Sequence, residues 1–318
     1  MTSEAKISIV IAAYKGEKYI AEQLKSLLAQ TRLPDEIIIC DDSNDDLTCQ
    51  AISEFCSGGM VKYTKNSEAL GVAGNFEKAI SLASGDYIFL CDQDDVWHPE
   101  KVETMAALLD ENSTVDGVFC NSMLVDGKLE SLHKTLWDLR KFTPAMQRTL
   151  AAGEALKVFC CRVVCSGHNI AFRRRALEYI MPFPELAPFY PDTWIALAIA
   201  LNGSWLAVDR CLTSYRIHDS NRSNPAGNAL KAAKKSRSCS AAGRNRLLAV
   251  ELLERCQTAA PEKRKMLQEF ALHHQTRESY SGKRFIRLFQ AAGELLRGGY
   301  KKYSNNLRTF IADIIFKP

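Results

Sequence analysis

DYIFLCDQDD, residues 86–95, sets the reading of the whole chain. Tyr87 through Cys91 is an unbroken apolar run, the pattern of a strand covered on both faces rather than half solvated. It passes without a spacer into Asp92, Asp94 and Asp95. Two earlier stretches have the same build: EIIICDD (36–42) ends on Asp41-Asp42, and ISIVIA (7–12) leads into Ala13-Tyr14-Lys15-Gly16. Short buried strands alternating with helical patterns indicate βαβ units and an α/β fold on a mainly parallel sheet flanked by helices.

The segments between these strands fit that order. Tyr19, Leu24, Leu27 and Leu28 form a helical stripe, and residues 44–46 can turn and cap a helix carrying Ala51, Ile52 and Phe55. Residues 61–63 read as a short third strand, and a helix over 75–83 follows the turn at Gly71 and Gly74. Pro99 opens another helix in its first turn, where a missing N–H is tolerated. Further strands are expected at 117–121, 163–172, 206–208 and 213–216. A stretch containing Pro182, Pro184, Pro188 and Pro191 leads into a helix over 192–201. Beyond Ser220, Ala, Arg and Lys dominate at helical spacing. The expected division is an α/β domain over 1–221 and a basic helical C-terminal extension over 222–318.

Composition narrows the function classes. The chain has 318 residues, 47% hydrophobic and 25% charged, ordinary values for a globular protein with a sizeable core. The longest apolar run, Trp194 to Leu201, is eight residues, well short of the roughly 18 needed to span a bilayer. The N-terminus lacks the pattern of a secretory leader. Eleven cysteines are scattered without a Cys-x-x-Cys pair, which removes zinc-ribbon and thioredoxin readings. Several sit inside apolar strands, so buried reduced thiols and a cytoplasmic location are expected. Charge is uneven. Residues 1–221 carry 21 Lys+Arg against 30 Asp+Glu, a net of −9, whereas residues 222–318 carry 20 against 7, a net of +13.

The acidic clusters stand at the ends of the second and fourth strands, and ligands of open parallel sheets bind at the carboxyl ends of strands. Carboxylates crowded in this way repel one another unless they hold a cation or meet hydrogen-bond donors. The competing reading is that they cap the next helices.

The ordered set ISIVIAAYKGEKYIAEQLKSLLAQT, EIIICDDSNDDLT, NSEALGVAGNFEKAISLASGDYIFLCDQDDVW, SGHNIAFRRRAL, YPDTWIAL and YRIH resembles family 2 glycosyltransferases of the GT-A fold, in particular their bacterial rhamnosyltransferase-like branch, over about residues 5–222. The resemblance implies an inverting enzyme that moves a sugar from a nucleoside-diphosphate donor to a lipid-linked oligosaccharide or polysaccharide acceptor in surface-glycan synthesis, O-antigen or capsule. It implies that Ala12, Ala13 and Tyr14 line the nucleotide pocket, and that Asp41 or Asp42 meets the base or ribose. Asp92 would face the ribose, and Asp94 would ligate Mg²⁺ or Mn²⁺, with His218 completing the metal site. Asp192 matches the catalytic base; its alternative role is a helix N-cap. Arg216 is expected at the diphosphate, and Gly167, His168 and Asn169 in the segment flanking the acceptor site. Asn44 and Pro191 depart from the family pattern, which usually has Ser at the first and an acid or His at the second.

Two rival classes share the fold: a sugar nucleotidyltransferase, for which Ala12-Ala13-Tyr14-Lys15-Gly16 is a poor phosphate loop, and a non-catalytic nucleotide-sugar-binding scaffold. In the extension, the basic stretch within 229–246 and the mixed basic and apolar residues of 282–318 suit an interfacial helix on an anionic membrane. They also suit a helix packed on the catalytic domain. No nucleic-acid-binding motif is present.

Overall fold

The computed structural model describes residues 4–185, 190–218, 221, 237–304 and 307–316. Three parallel crossovers build its first half. Strands β1 (Ile7–Ala13), β2 (Glu36–Asp41), β3 (Val61–Lys65) and β4 (Tyr87–Cys91) lie in the order β3-β2-β1-β4, all parallel. They are joined through helices α1 (Ile20–Leu28), α2 (Leu47–Ile52) and α3 (Gly71–Leu82). Alternate residues of each strand enter different cores. Val10, Ile38, Ile88 and Leu90 pack on one face of the sheet, and Ile9, Ile11, Ile37, Ile39 and Phe89 on the other. That double coverage is why these strands read as unbroken apolar runs.

Beyond β4 the sheet is mixed. Strand β8 (Ile170–Arg173) runs antiparallel between β4 and β6 (Gly117–Val125). Strand β9 (Trp205–Arg216) pairs parallel with β6, and the two-residue β5 (Val96–Trp97) closes that edge antiparallel to β9. The two short strands expected at 206–208 and 213–216 are one strand whose register shifts opposite Asn121. The expected strand over 163–172 is strand only from Ile170; a tight 3₁₀ turn, Gly167–Asn169, precedes it. Strand β7 (Ser131–Thr135) and helices α5 (Leu136–Arg140), α6 (Pro144–Ala151) and α7 (Ala155–Cys161) fill a region that sequence patterning left irregular.

Helix α4 (Lys101–Glu111) begins after Pro99, which stands before the N-cap Glu100 rather than in the first turn, and after the short α8 (Leu177–Ile180) comes α9 (Pro191–Asn202). Helix α9 is apolar all round because it is enclosed: Trp194 through Leu201 are each at most 2% exposed. Helices α3, α7 and α8 pack on it, and the chain goes on through α10 (Arg237–Arg255), α11 (Pro261–Glu278), α12 (Arg284–Leu296), α13 (Gly299–Tyr303) and α14 (Leu307–Phe316).

The C-terminal helices are no loose appendage. Leu248, Leu252, Leu267 and Phe270 belong to the same core as Phe119, Phe159 and Trp205. Full burial of each such side chain contributes about 2 kcal/mol. Basic residues also serve this packing: Lys263 Nζ donates to the Ala200 and Gly203 carbonyls at 2.9 and 3.0 Å, and Arg264 donates to those of Leu253 and Cys256. The boundary expected at 221/222 and the basic residues of 222–236 lie outside the described residues.

Candidate active site

A cleft of about 630 Å³ opens at the carboxyl ends of β1, β2 and β4, and residues 166–168 and the start of α9 also line it. Ala12, Ala13 and Tyr14 form one wall, Asp92, Gln93 and Asp94 another, and Pro191, Asp192 and Thr193 a third. The strand ends are tied to one another. Gln93 accepts the Tyr14 N–H at 2.9 Å and donates to the Tyr14 carbonyl at 3.0 Å, so the two loops move as one unit. Lys15 adopts a left-handed conformation (φ 51°), held by its N–H to Ser43 Oγ at 2.7 Å. At Gly16 a Cβ would meet Gln93 Oε1 at 2.6 Å, so a larger residue there would displace the Gln93 side chain from its bonds to Tyr14. Asn75 Nδ2 donates to the Ala13 and Cys40 carbonyls at 3.0 and 2.9 Å, tying the ends of β1 and β2 to α3.

Adjacent carboxylates take different roles because neighbouring strand residues point to opposite sides. Asp42 lines the cleft, accepting from Asn66 Nδ2 at 2.6 Å and from the Leu70 N–H at 3.1 Å. Asp41 is turned inward: it is fully buried and accepts from Ser43 N and Oγ and from the Tyr63 hydroxyl. Of the two expected at the nucleotide, only Asp42 faces open space.

Asp94 Oδ2 lies 2.9 Å from His218 Nε2, and the imidazole packs on Tyr19 at 4.8 Å between ring centroids. Oxygen and nitrogen donors 2.9 Å apart match adjacent ligands of an octahedral ion, whose bonds of about 2.1 Å set their neighbours about 3 Å apart. The contact is a hydrogen bond as it stands, and its two atoms are close enough to serve instead as neighbouring ligands of one cation.

Behind it lies a second group. Ligand atoms of Asp92, Asp95 and His168 lie within 4.8 Å of one another. His168 is 1% exposed, stacks on Tyr215 at 4.5 Å and reaches Ser122 Oγ through Nε2 at 2.9 Å; its Nδ1 stands 3.7 Å from the Asp95 carboxylate. Burial, reinforced by Asp94 and Asp92, pushes the Asp95 carboxyl well above the usual range. Lys101 is completely buried beside this group. Its ammonium donates to the His168 carbonyl at 2.6 Å and to Thr213 Oγ1 at 2.9 Å, 3.5 Å from the Trp97 ring centroid. Burial lowers its pKa.

Two expected contacts are corrected by this packing. Arg216 does not open into the cleft: it is 2% exposed, donates to the Asp94 carbonyl through Nε and to the Gly127 carbonyl through Nη1, and pairs with Glu22. Its N–H also holds Asp95 Oδ1 at 2.9 Å. It thus braces the acidic loop from behind rather than reaching a diphosphate. Asn169 is fully buried, accepting from the Ser166 N–H and donating to the Cys120 carbonyl, so it shapes the turn beneath the cleft.

Asp192 lines the cleft as the second residue of α9. The N-cap position belongs to Tyr190, with Pro191 in the first turn, so capping is not what Asp192 does. Its Oδ1 accepts the Thr193 N–H at 2.7 Å. Burial raises its pKa, partly offset by the charge of Arg140. Arg140 is the one Lys or Arg among the described cleft-lining residues, and its Nη2 donates to Ser166 Oγ at 3.2 Å.

The family model described as "Glycosyl transferase family 2" matches residues 8–180, the segment carrying every strand of the parallel half. The chain belongs to glycosyl transferase family 2. An uncharacterised glycosyltransferase of Nostoc sp. is 29% identical over 231 residues, 70% of this chain and 68% of the relative. The Escherichia coli UDP-Glc:alpha-D-GlcNAc-diphosphoundecaprenol beta-1,3-glucosyltransferase WfgD is 34% identical over 107 residues, 34% of this chain and only 42% of its own length. Among solved structures, a mannosyltransferase of Pyrobaculum calidifontis in complex with GDP-Man and Mn²⁺ superposes with a TM-score of 0.62 at 18% identity, over 99% of this chain and 87% of that one. That likeness shows the GT-A fold. The rhamnosyltransferase-like branch is not singled out. Among the described residues, no helix of this family 2 member is long and apolar enough to cross a membrane.

Two site residues escaped the sequence reading, Lys101 and Arg140, and Asp95 enters it only as part of the acidic cluster, with no role of its own. Lys101 did leave a signal, because it occupies a position in the apolar stripe of α4 with Val102, Met105, Ala106 and Leu109. Arg140 lies in a segment with no strand or helix pattern strong enough to place it.

Proposed function

We propose that the cleft transfers a sugar, with inversion, from a nucleoside-diphosphate donor to a hydroxyl of a lipid-linked oligosaccharide or polysaccharide acceptor of a bacterial surface glycan. The observation that carries this reading is the apposition of Asp94 and His218 in a cleft that Asp192 also lines. Asp42, Asp92, Asp94 and Asp192 make the cleft acidic, so an anionic diphosphate needs a counter-charge there. Asp94 and His218 would hold Mg²⁺ or Mn²⁺, hard cations that take oxygen and imidazole donors. Once bound, that ion supplies neutralisation of the charge that develops on the departing diphosphate. The Asp92–Asp95–His168 group is the poorer cation site, because the Lys101 ammonium is already beside it.

The chain's own residues do the rest. Ala12 and Tyr14, the latter locked to Gln93, wall the nucleotide pocket, and the carboxylates of Asp42 and Asp92 accept hydrogen bonds from base and ribose. Asp192 takes the proton of the acceptor hydroxyl as that oxygen attacks the anomeric carbon, and its raised proton affinity suits this task. Arg140 steadies the carboxylate before transfer. Attack from the face away from the leaving group gives inversion in one displacement, with no covalent sugar–enzyme intermediate.

The lipid-linked acceptor is supported by the likeness to WfgD, whose name specifies a diphosphoundecaprenol-linked substrate. With such an acceptor, the proposed location is the cytoplasm, peripheral on the inner face of the membrane. The donor sugar is for the screen to identify, with rhamnose, glucose and galactose among the candidates. A screen of dTDP-rhamnose, UDP-glucose, UDP-galactose and GDP-mannose, reading nucleoside diphosphate release with and without Mn²⁺, tests the proposal. Metal-dependent release that requires acceptor supports it. Formation of a nucleotide sugar from sugar phosphate and nucleoside triphosphate would instead identify a nucleotidyltransferase, and binding without turnover a scaffold.

A further inference from the structure

Helix α12 is built inside out. Phe285, Phe289 and Leu296, spaced so as to share one face, are 72%, 62% and 89% exposed, with Ile286 and Leu288 also exposed on its flanks. The opposite face holds Arg287 and Glu294, only 3% and 6% exposed. Arg287 donates to the carbonyls of Ser281, Gly282 and Ile314, and Glu294 meets His273 Nδ1 at 2.6 Å. These hydrogen bonds fix the rotation of the helix, so its aromatic face is held outward. On α14, packed against it, Leu307, Ile311 and Ile315 make a second exposed stripe at helical spacing.

Within the described residues of 279–318 the exposed charges have one sign, although Lys302 also meets Glu269 of α11, 42% exposed. Over residues 279–318 the acidic residues are Glu294 and Asp313. Asp313 is also buried, bonded to Arg277 Nε at 2.6 Å and to the Tyr300 hydroxyl at 2.7 Å. The exposed charges among the described residues of this segment are Lys283, Arg284, Arg297, Lys301, Lys302 and Arg308. Arg297 and Lys302 come only within 3.6 Å of Glu294 and Glu269 and keep much of their surface in solvent.

We propose that the apolar face of α12, with the stripe of α14 and this basic rim, lies in the surface of an anionic lipid bilayer. Phenylalanines and a leucine flanked by lysine and arginine complement an interface of acyl chains and negative headgroups. A second copy of the chain is a poor occupant, since it would bring one positive surface against another. The inference rests on the proposed reaction in that a lipid-linked acceptor resides at such a surface. It narrows the membrane contact from a basic tail at large to one helix face, because α10 and α11 are spent on the core.

Sedimentation of the full chain with phosphatidylcholine vesicles, with and without one part in three of phosphatidylglycerol, tests it without any turnover. Binding at least tenfold tighter to the anionic vesicles, weakening between 0.1 and 0.5 M salt, is the expected result. F285S/F289S should weaken binding at least tenfold with an unchanged melting temperature and unchanged nucleoside diphosphate release, since both rings are exposed. K301Q/K302Q should weaken it about fivefold per charge removed. Indifference to lipid charge, or wild-type binding by both variants, overturns the proposal. So does light scattering that shows a wild-type dimer converted to monomer by F285S/F289S. Loss of vesicle binding with sugar transfer to a soluble acceptor intact marks the membrane contact alone, whereas absence of transfer with vesicle binding intact marks the reading of the cleft.

Discussion

Replacing Asp192 by asparagine separates chemistry from architecture at the one position where both were candidates. Asparagine keeps an oxygen where Oδ1 accepts the Thr193 N–H at 2.7 Å, and Tyr190, not Asp192, is the N-cap. The structural loss is then confined to a carboxylate in the first turn of α9, about 0.3–1 kcal/mol of helix-dipole interaction. Relief from burying a charge, the cause of its raised pKa, opposes even that. Stability should change by less than about 1 kcal/mol, a shift of about 2–4 °C at most in a chain of this size. Catalysis loses its proton acceptor, and kcat should fall about 10²- to 10⁴-fold with donor Kd unchanged. The base works deprotonated, so wild-type activity should rise with pH through an apparent pKa above the ordinary carboxylate range, and the residual activity of the variant should lack that limb. Thermal denaturation, donor titration and initial rates from pH 4 to 8 measure all three. A fall in Tm beyond about 10 °C, with normal turnover per folded molecule, would refute the assignment of the base.

Asp94→Ala should lose at least about 10²-fold of metal-stimulated nucleoside diphosphate release and should no longer bind Mn²⁺ by electron paramagnetic resonance; full activity in excess EDTA would remove the ion from the reaction. Glu36 is held down to about 2, because hydrogen bonds from Lys62, Ser8 and Ser84 outweigh the upward push of burial. Its contribution to stability is present above the unfolded carboxylate pKa and lost as pH falls toward 2, so Glu36→Gln should cost about 1.5–3 kcal/mol at pH 7 in urea denaturation and flatten that acid dependence. Asn75→Ala removes the Nδ2 bonds to the Ala13 and Cys40 carbonyls, the first of which still accepts the Asp42 N–H, and should cost about 1–2 kcal/mol while raising the donor KM, with calorimetry and initial rates as the checks.

Strands covered on both faces write themselves into sequence as largely apolar runs, so residues 7–12, 36–40 and 87–91 by themselves declared a mainly parallel sheet. Acids directly after two of those runs marked the strand ends where the cleft opens, and the ordered motifs extended that reading to the family. What sequence could not settle is direction. Asp41 and Asp42 are chemically alike, and only the pleat, with Tyr63 and Ser43 on the inner side, sends one into the protein and the other into the cleft. Arg216 and Asn169 have long or polar side chains that suit a ligand as well as a carbonyl; the packing of the Asp94 loop and of the 3₁₀ turn engages both internally. The buried group of Asp95, His168 and Lys101 joins residues distant in sequence, so no local pattern contains it. Helix α12 shows the limit most plainly. Its periodicity announces an amphipathic helix, and periodicity is unchanged by rotating a helix half a turn. Only the partners of Arg287 and Glu294, supplied by the neighbouring helices, decide that the apolar face looks outward.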